Sequence, residues 1–160
     1  DDLLNTPNPI WVVLDQVTDP RNLGAIARSA AAFGATALLV PQRRSAPVTA
    51  AAWRTSAGAL ARLPVCQIGN VSQTLQRLQE HGCFCVGLEA DSPHGLEELA
   101  RLADGPVALV VGAEGRGLGS LVAKRCDLLV SIPMTSATES LNVAVAAGIA
   151  LHWVAHQRQA

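Results

Sequence analysis

Residues 107–111 read Val-Ala-Leu-Val-Val without a polar interruption, and the chain then breaks into Gly112-Ala113-Glu114-Gly115-Arg116-Gly117. A strand with one face in water alternates apolar and polar residues. One that is apolar at every position has to be covered on both faces. This run therefore calls for a sheet with helices packed above and below it. The three glycines after it permit backbone conformations closed to other residues and let a ligand approach the main chain closely. Their spacing matches neither common phosphate loop: no Gly-x-Gly-x-x-Gly opens a helix, and no Gly-Lys-Ser/Thr follows. A ligand at this loop is not expected to be held by its phosphates.

The rest of the chain supplies the matching layers. Residues 1–9, with Pro7 and Pro9, read as the end of a linker ahead of a catalytic domain over 10–160. A strand is expected over 10–14. Asp19 can cap the helix that follows, and Pro20 suits its first turn. Leu23, Ile26, Ala27, Ala30 and Phe33 recur at helical spacing, and Gly34 provides the stop. The strand over 35–40 completes a β-α-β unit with a right-handed crossover. Further on, an alanine-rich helix is expected over 49–60, interrupted near Ser56 and Gly58. Then come a strand over 65–68, a helix over 72–81 closed by Gly82, and a strand over 83–88. A turn over 91–95 and a short helix over 96–102 lead to the strand over 107–111. A helix over 118–126 and a strand over 128–132 complete the alternation. Its fold class is α/β, with a mostly parallel sheet and helices on both faces.

The last segment is different. Ser136 and Glu139 have the spacing of a capping box, with Thr138 as a competing cap. The helix over 141–155 is apolar nearly all round, broken only by Asn142, Gly148 and His152. Such a helix is buried by its own domain or by a partner subunit, and Asn142 in its first turn needs a specific polar partner. His152 and His156 lie four apart, as zinc ligands can. No Glu stands between them and no third ligand is near, so a surface or interface role is favoured and no metal is expected. Trp53 is open to two readings, stacking on a base or packing.

At 160 residues the chain suits one domain, and its 49% apolar and 16% charged content leaves apolar surface to spare for a subunit interface. No run approaches the roughly 18 apolar residues of a membrane span, and no membrane association is expected. Cys66, Cys83, Cys85 and Cys126 form no Cys-x-x-Cys pair and read as reduced, buried side chains of a cytoplasmic protein. The net charge of −1 conceals an asymmetry, because residues 20–79 contain no acid while Arg21, Arg28, Arg43, Arg44, Arg54, Arg62 and Arg77 all fall there. Lys124 is the one lysine. Arginine suits bidentate contacts to phosphate, and a field of one sign concentrated in half the chain suits a polyanion.

Three segments, in order, carry a resemblance. Asp19-Pro20-Arg21-Asn22-Leu23-Gly24-Ala25-Ile26-Ala27-Arg28-Ser29-Ala30 with Phe33-Gly34 resembles the first motif of the SpoU (TrmH) family. Residues 109–118 resemble the second, and residues 131–147 the third. These are RNA 2′-O-ribose methyltransferases of the SPOUT class. Trp53-Arg54-Thr55-Ser56-Ala57-Gly58-Ala59 and the Pro-Met after Ile132 look most like the subfamily that methylates a guanosine of 23S rRNA.

The resemblance implies a C-terminal deep trefoil knot, S-adenosylmethionine as methyl donor, and a homodimer packed through the knot region. It assigns Leu88, Gly112, Ile132 and Leu141 to the cofactor pocket, and Asn22, Arg28, Glu114, Ser140 and Asn142 to catalysis. Arg28 is expected to grip the target phosphate and stabilise developing alkoxide charge, with Glu114 fixing Arg28 or Asn22 by a charge-assisted bond. Ser140 and Asn142 would order the loop and the ribose, or else serve as capping and core-network groups. Arg21, Arg43, Arg44 and Arg54 are expected to contact RNA. Two alternatives stand beside rRNA methylation: tRNA as the substrate, and an RNA-binding or assembly module without catalysis.

Overall fold

The apolar runs of the sequence form one parallel sheet. The computed structural model describes residues 2–102, 104–135 and 140–159. Strands β1 (Ile10–Asp15), β2 (Ala37–Pro41), β3 (Val65–Ile68), β4 (Phe84–Leu88), β5 (Val107–Gly112) and β6 (Leu128–Val130) are ordered β3-β2-β1-β5-β4-β6. All five neighbouring pairs are parallel. Around the sheet lie helices α1 (Pro20–Ala32), α2 (Ala50–Ser56), α3 (Val71–Glu80), α4 (Ser120–Arg125) and α5 (Val143–Gln159), with 3-10 turns at Asp2–Asn5, Ala59–Ala61 and Leu96–Leu102.

Strand pleating sends successive side chains to opposite faces, and here both faces are covered. On one face Ile10, Val12, Leu14, Leu38, Leu109 and Val111 pack with Leu23 and Ile26 of α1 and Ala147 and Leu151 of α5. On the other, Trp11, Val13, Leu39, Ala108 and Val110 meet Leu75 and Leu78 of α3 and Val122 of α4. This accounts for the unbroken apolar run at 107–111: all six positions of β5 are buried.

Asp19 caps α1, its carboxylate accepting from the Arg21 N–H at 2.9 Å. Gly24 sets how closely α1 crosses α2, since a Cβ there would lie 2.3 Å from the Ala52 carbonyl oxygen. At the far end of the sheet, the Arg158 guanidinium donates to the carbonyls of Asn8 and Gly105, which fastens the end of α5 to the segments entering β1 and β5.

Several boundaries differ from expectation for local reasons. Residues 2–5, expected as linker, form a 3-10 turn whose Leu3 and Leu4 pack on the second core. Residues 96–102 are 3-10 rather than α-helical. Leu96 and Leu99 are buried and Leu102 packs against the core, a three-residue repeat that a three-per-turn helix aligns on one face. Helix α4 starts at Ser120, after Gly119 as an extended N-cap at φ −59° and ψ 150°, whose N–H donates to the Asp15 carboxylate at 2.8 Å. Strand β6 stops at Val130, and Ser131 makes only an isolated bridge to Gly95.

Asn142 precedes α5 instead of lying in its first turn. Its side-chain oxygen accepts from Ala144 N and Val145 N at 2.9 and 3.3 Å, which makes it the N-cap. The capping box expected at Ser136 and Glu139, and its rival Thr138, lie outside the described residues. Nor is α5 buried on all sides within one chain. Val143, Ala147, Ala150, Leu151 and Val154 are buried, while Val145 is 51% exposed and His152 also faces out.

Candidate active site

Parallel strands all point one way, so their C-terminal ends present loops to a common edge, where ligands of doubly wound sheets bind. The loops after β4, β5 and β6 enclose a cavity of about 250 Å³ at that edge. Leu88, Gly112, Ile132 and Leu141 line it together with Val111 and Val130, and Glu89, Asp91, Glu114, Arg116, Met134 and Ser140 add polar and flexible groups. All four residues expected to hold the cofactor are thus brought to one place, with Glu114 and Ser140 at the same cavity.

The glycine loop owes its shape to two mutual backbone bonds, Ala113 N to Gly117 O at 3.1 Å and Gly117 N to Ala113 O at 2.9 Å. Closing so tight a turn requires Gly115 at φ +79° and Gly117 at φ +67°. Gly112 is a glycine for a different reason. A Cβ there would lie 2.3 Å from the carbonyl carbon of Gly117. The Glu89 carboxylate rests against Gly117, 2.5 Å from where a Cβ on that residue would be. Asp15, 5% exposed at the end of β1, ties down the loop's exit through its bond to Gly119 N.

A second cleft, of about 420 Å³, adjoins the first. It is lined by Gln16, Val17, Thr18, Asp19, Asn22 and Arg44, and shares Ala113, Glu114, Arg116 and Val143 with the cavity. Glu114 and Arg116 therefore stand between the two. At the margin, Asn142 Nδ2 donates to Asn22 Oδ1 at 3.1 Å. The two cap bonds to Asn142 Oδ1 fix which way its amide faces, so the partner that Asn142 required is Asn22, 120 positions earlier.

The remaining expected residues fall elsewhere. Arg28 is exposed and lies along an apolar groove of about 580 Å³ between α1 and α5, with Phe33, Asn142, Val145, Ile149 and Trp153. The bond from Glu114 to Arg28 or Asn22 is not made among the described residues. Asn22 shares the second cleft with Glu114 but bonds Asn142 through its Oδ1, and Arg28 opens onto a different groove from Glu114.

Arg21 folds back onto Asp19 at 3.1 Å, and its hydrogen bond holds the Asp19 carboxyl below its ordinary pKa. Arg43 and Arg44 are exposed, Arg44 at φ +54°. Arg54 is exposed on α2 and lines neither the cavity nor the second cleft. Trp53 is 46% exposed.

Asp15, Glu89 and Arg116 were not singled out from the sequence as part of this site. The two acids carried a readable signal, since each immediately follows an apolar strand and so sits at the ligand-binding edge. Arg116 is distinguished in sequence only by its place between two glycines.

All four cysteines are free. Cys83 and Cys85 are buried as expected, whereas Cys66 and Cys126 are only half-buried. Desolvation pushes the Cys126 thiol up to about 12, and the neighbouring Cys83 together with burial raises Cys85 further, so both favour the neutral thiol at neutral pH. The described residues contain no metal-binding cluster. His152 stacks on His156 at 5.9 Å and meets Phe33 edge-on at 5.5 Å. Among the described residues no helix is long and apolar enough to cross a membrane.

These features agree with relationships found by comparison. A protein of Mycobacterium sp. (strain KMS) named "Uncharacterized tRNA/rRNA methyltransferase" is 54% identical over 164 residues, which cover 99% of this chain and 52% of the relative. The chain thus spans about half the length of the curated relatives it matches. The SpoU methyltransferase AviRb from Streptomyces viridochromogenes, solved in complex with the cofactor AdoMet, superposes with a TM-score of 0.89 at 29% identity. That superposition covers 99% of this chain and 64% of that one. A structure described as an RNA 2′-O ribose methyltransferase gives a TM-score of 0.82 at 29% identity, covering 97% of this chain and 58% of the other. The SpoU rRNA Methylase family model matches residues 9–152, from the entry of β1 to the exposed face of α5, and the chain belongs to that family.

Proposed function

We propose that this chain is the catalytic domain, over residues 10–160, of an enzyme that transfers a methyl group from S-adenosylmethionine to a ribose 2′-hydroxyl of RNA, with a guanosine of 23S rRNA as the favoured target. The observation that carries the reading is the convergence of Leu88, Gly112, Ile132, Leu141, Glu114 and Ser140 on one cavity at the C-terminal edge of the sheet. The residues fit the cofactor. Leu88, Ile132 and Leu141 offer apolar walls to an adenine, and Glu89 and Asp91 offer carboxylates to ribose hydroxyls and to a cationic methionine end. The absence of a phosphate-loop spacing agrees with a ligand that has no phosphate.

When bound, S-adenosylmethionine supplies an electrophilic methyl carbon on a good leaving group. The tasks left to the protein are in-line positioning, removal of the hydroxyl proton and stabilisation of the developing oxygen charge. The second cleft opens on Glu114, Arg116 and Asn22 and is the place for the target nucleotide. There the Asn22–Asn142 pair would orient the ribose, with α5 anchored behind it through the Asn142 cap. Arg28 would grip the target phosphate. Its guanidinium is suited to stabilising an alkoxide rather than to accepting a proton.

Arg28 lies along the groove lined by Val145, Ile149 and Trp153, which we assign to the contact with a second copy of the chain. In such a homodimer Arg28 would border the interface. The trefoil knot of the family would then involve the C-terminal part of the chain, with Ser140 and Leu141 at the cavity that the glycine loop also lines.

The test combines calorimetry with S-adenosylmethionine and transfer of labelled methyl to rRNA and to tRNA stripped of ribose methylation. Cofactor binding with label in ribose 2′-O-methylguanosine of 23S rRNA is the expected result. Label in tRNA alone would move the substrate, and no cofactor binding by the folded chain would refute the enzyme reading.

A further inference from the structure

The proposed function makes no use of a cavity beside the reaction cleft. It lies beyond the second cleft, at the C-terminal ends of β1, β2 and β3, and has a volume of about 440 Å³. Gln16 and Arg44 line both, so the two spaces adjoin. Arg43, Arg44, Asn70, Ser72 and Ser120 are its polar lining, and Leu121, 71% exposed, stands at its lip. Among the described residues the side chains of Arg43, Arg44, Ser72 and Ser120 make no hydrogen bond or ion pair, while Asn70 uses only its oxygen, as a cap to Gln73 N at 2.9 Å. Two guanidinium groups, two hydroxyls and an amide NH2 therefore face one space as uncommitted donors. The one acid in the lining, Asp15, is buried and already accepts the Gly119 N–H. No other acid falls among residues 20–79, which include β2, β3 and nearly all of α3.

From this we infer that the cavity is a second RNA subsite, holding the backbone phosphate of a nucleotide that flanks the methylated one in a single strand. The inference rests on the proposed RNA reading. The donors match phosphodiester oxygens, which take bidentate arginine contacts. Leu121 gives the flanking ribose or base an apolar surface, which explains why a leucine is left largely in water. Because Arg44 borders both spaces, it fixes the spacing between the target ribose and the flanking phosphate. The strand runs from the reaction cleft across the ends of β1 and β2 towards β3.

The experiment uses the whole chain and a labelled single-stranded oligouridylate, with affinity followed against salt. Each lost phosphate contact on a single strand lowers the slope of log K against log salt by about 0.7. Arg43→Ala combined with Arg44→Ala is expected to lower it by about 1.4. Ser120→Asp places a negative charge among the donors and should weaken binding about tenfold. Leu121→Ala should weaken it two- to fivefold with the slope unchanged. S-adenosylmethionine affinity, measured on the same preparations, should stay within twofold of wild type and shows that the variants fold.

An unchanged slope in the double variant would overturn the subsite. So would equal losses on duplex DNA of the same length, because the cavity would then be a general polyanion contact. A wild-type chain that binds the oligonucleotide through this cavity but binds no S-adenosylmethionine would refute the methyltransferase reading and leave the subsite standing.

Discussion

Gly112→Ala is the substitution that most directly tests the link between the glycine loop and the cofactor. Gly112 is not at positive φ, so alanine carries no backbone strain there, and the entire effect is steric. The new methyl carbon would lie 2.3 Å from the carbonyl carbon of Gly117, 2.4 Å from its oxygen and 2.6 Å from Leu118 N. All three are backbone atoms, which no rotamer change can move away. Reaching an ordinary contact of 3.4 Å needs a displacement of about 1 Å (3.4 − 2.3 = 1.1). Buried β5 is held on both sides by β1 and β4, so the loop must give way, and with it the two bonds between Ala113 and Gly117.

At about 1 kcal/mol per bond the loss is at most about 2 kcal/mol, because the freed groups lie near water. That corresponds to a Tm lower by roughly 4–8 °C for a domain of this size. The cavity wall moves by the same ångström, and S-adenosylmethionine affinity is expected to fall at least tenfold by calorimetry. Gly82→Ala provides the control. Gly82 has φ +79° with nothing within 4 Å of a Cβ, and it ends α3 away from the cavity. It should cost about 1–2 kcal/mol of backbone strain with cofactor affinity unchanged. Wild-type affinity in folded Gly112→Ala, or an equal loss in Gly82→Ala, would refute the reasoning.

Arg28→Ala should abolish methyl transfer in a radiolabel assay and leave cofactor affinity nearly unchanged, since Arg28 does not line the cavity; parallel loss of both would make it a structural residue. Asn142→Ala removes the cap of α5 as well as the bond to Asn22, and should cost about 1 kcal/mol in urea unfolding. Asn142→Asp keeps the cap but cannot donate to Asn22, so near wild-type stability with lost activity is expected; full activity would reduce Asn142 to a cap. For the thiols, Cys126 is pushed up to about 12, Cys85 is raised further and Cys83 is buried, so all three should stay unmodified by a thiol reagent at pH 8 until unfolding. Mass spectrometry that finds Cys85 or Cys126 labelled as fast as half-exposed Cys66 in the native state would contradict this.

The elements were legible wherever the local signal and the packing agreed. The β3 bounds, the Asp19 cap and the covering of β5 on both faces all follow from periodicity and cap chemistry, which act over a few residues. The expected boundaries failed where a distant group took over a backbone position. Gly119, expected inside α4, is instead its extended N-cap, with its N–H held by Asp15, 104 positions away in the chain. The order of the three motifs likewise pointed to the family without any three-dimensional information.

Sequence alone thus determined the α/β class, the glycine loop and the set of polar residues able to act. Only the tertiary structure decided which of them meet. Leu88, Gly112, Ile132 and Leu141 share a cavity because parallel strands deliver their C-terminal loops to one edge. Asn22 bonds Asn142 rather than Glu114, and Arg28 opens on another groove from Glu114. Periodicity reports the face of an element a residue occupies. Which faces are brought together depends on strand order and helix crossing, and these are set by packing between segments far apart in the chain.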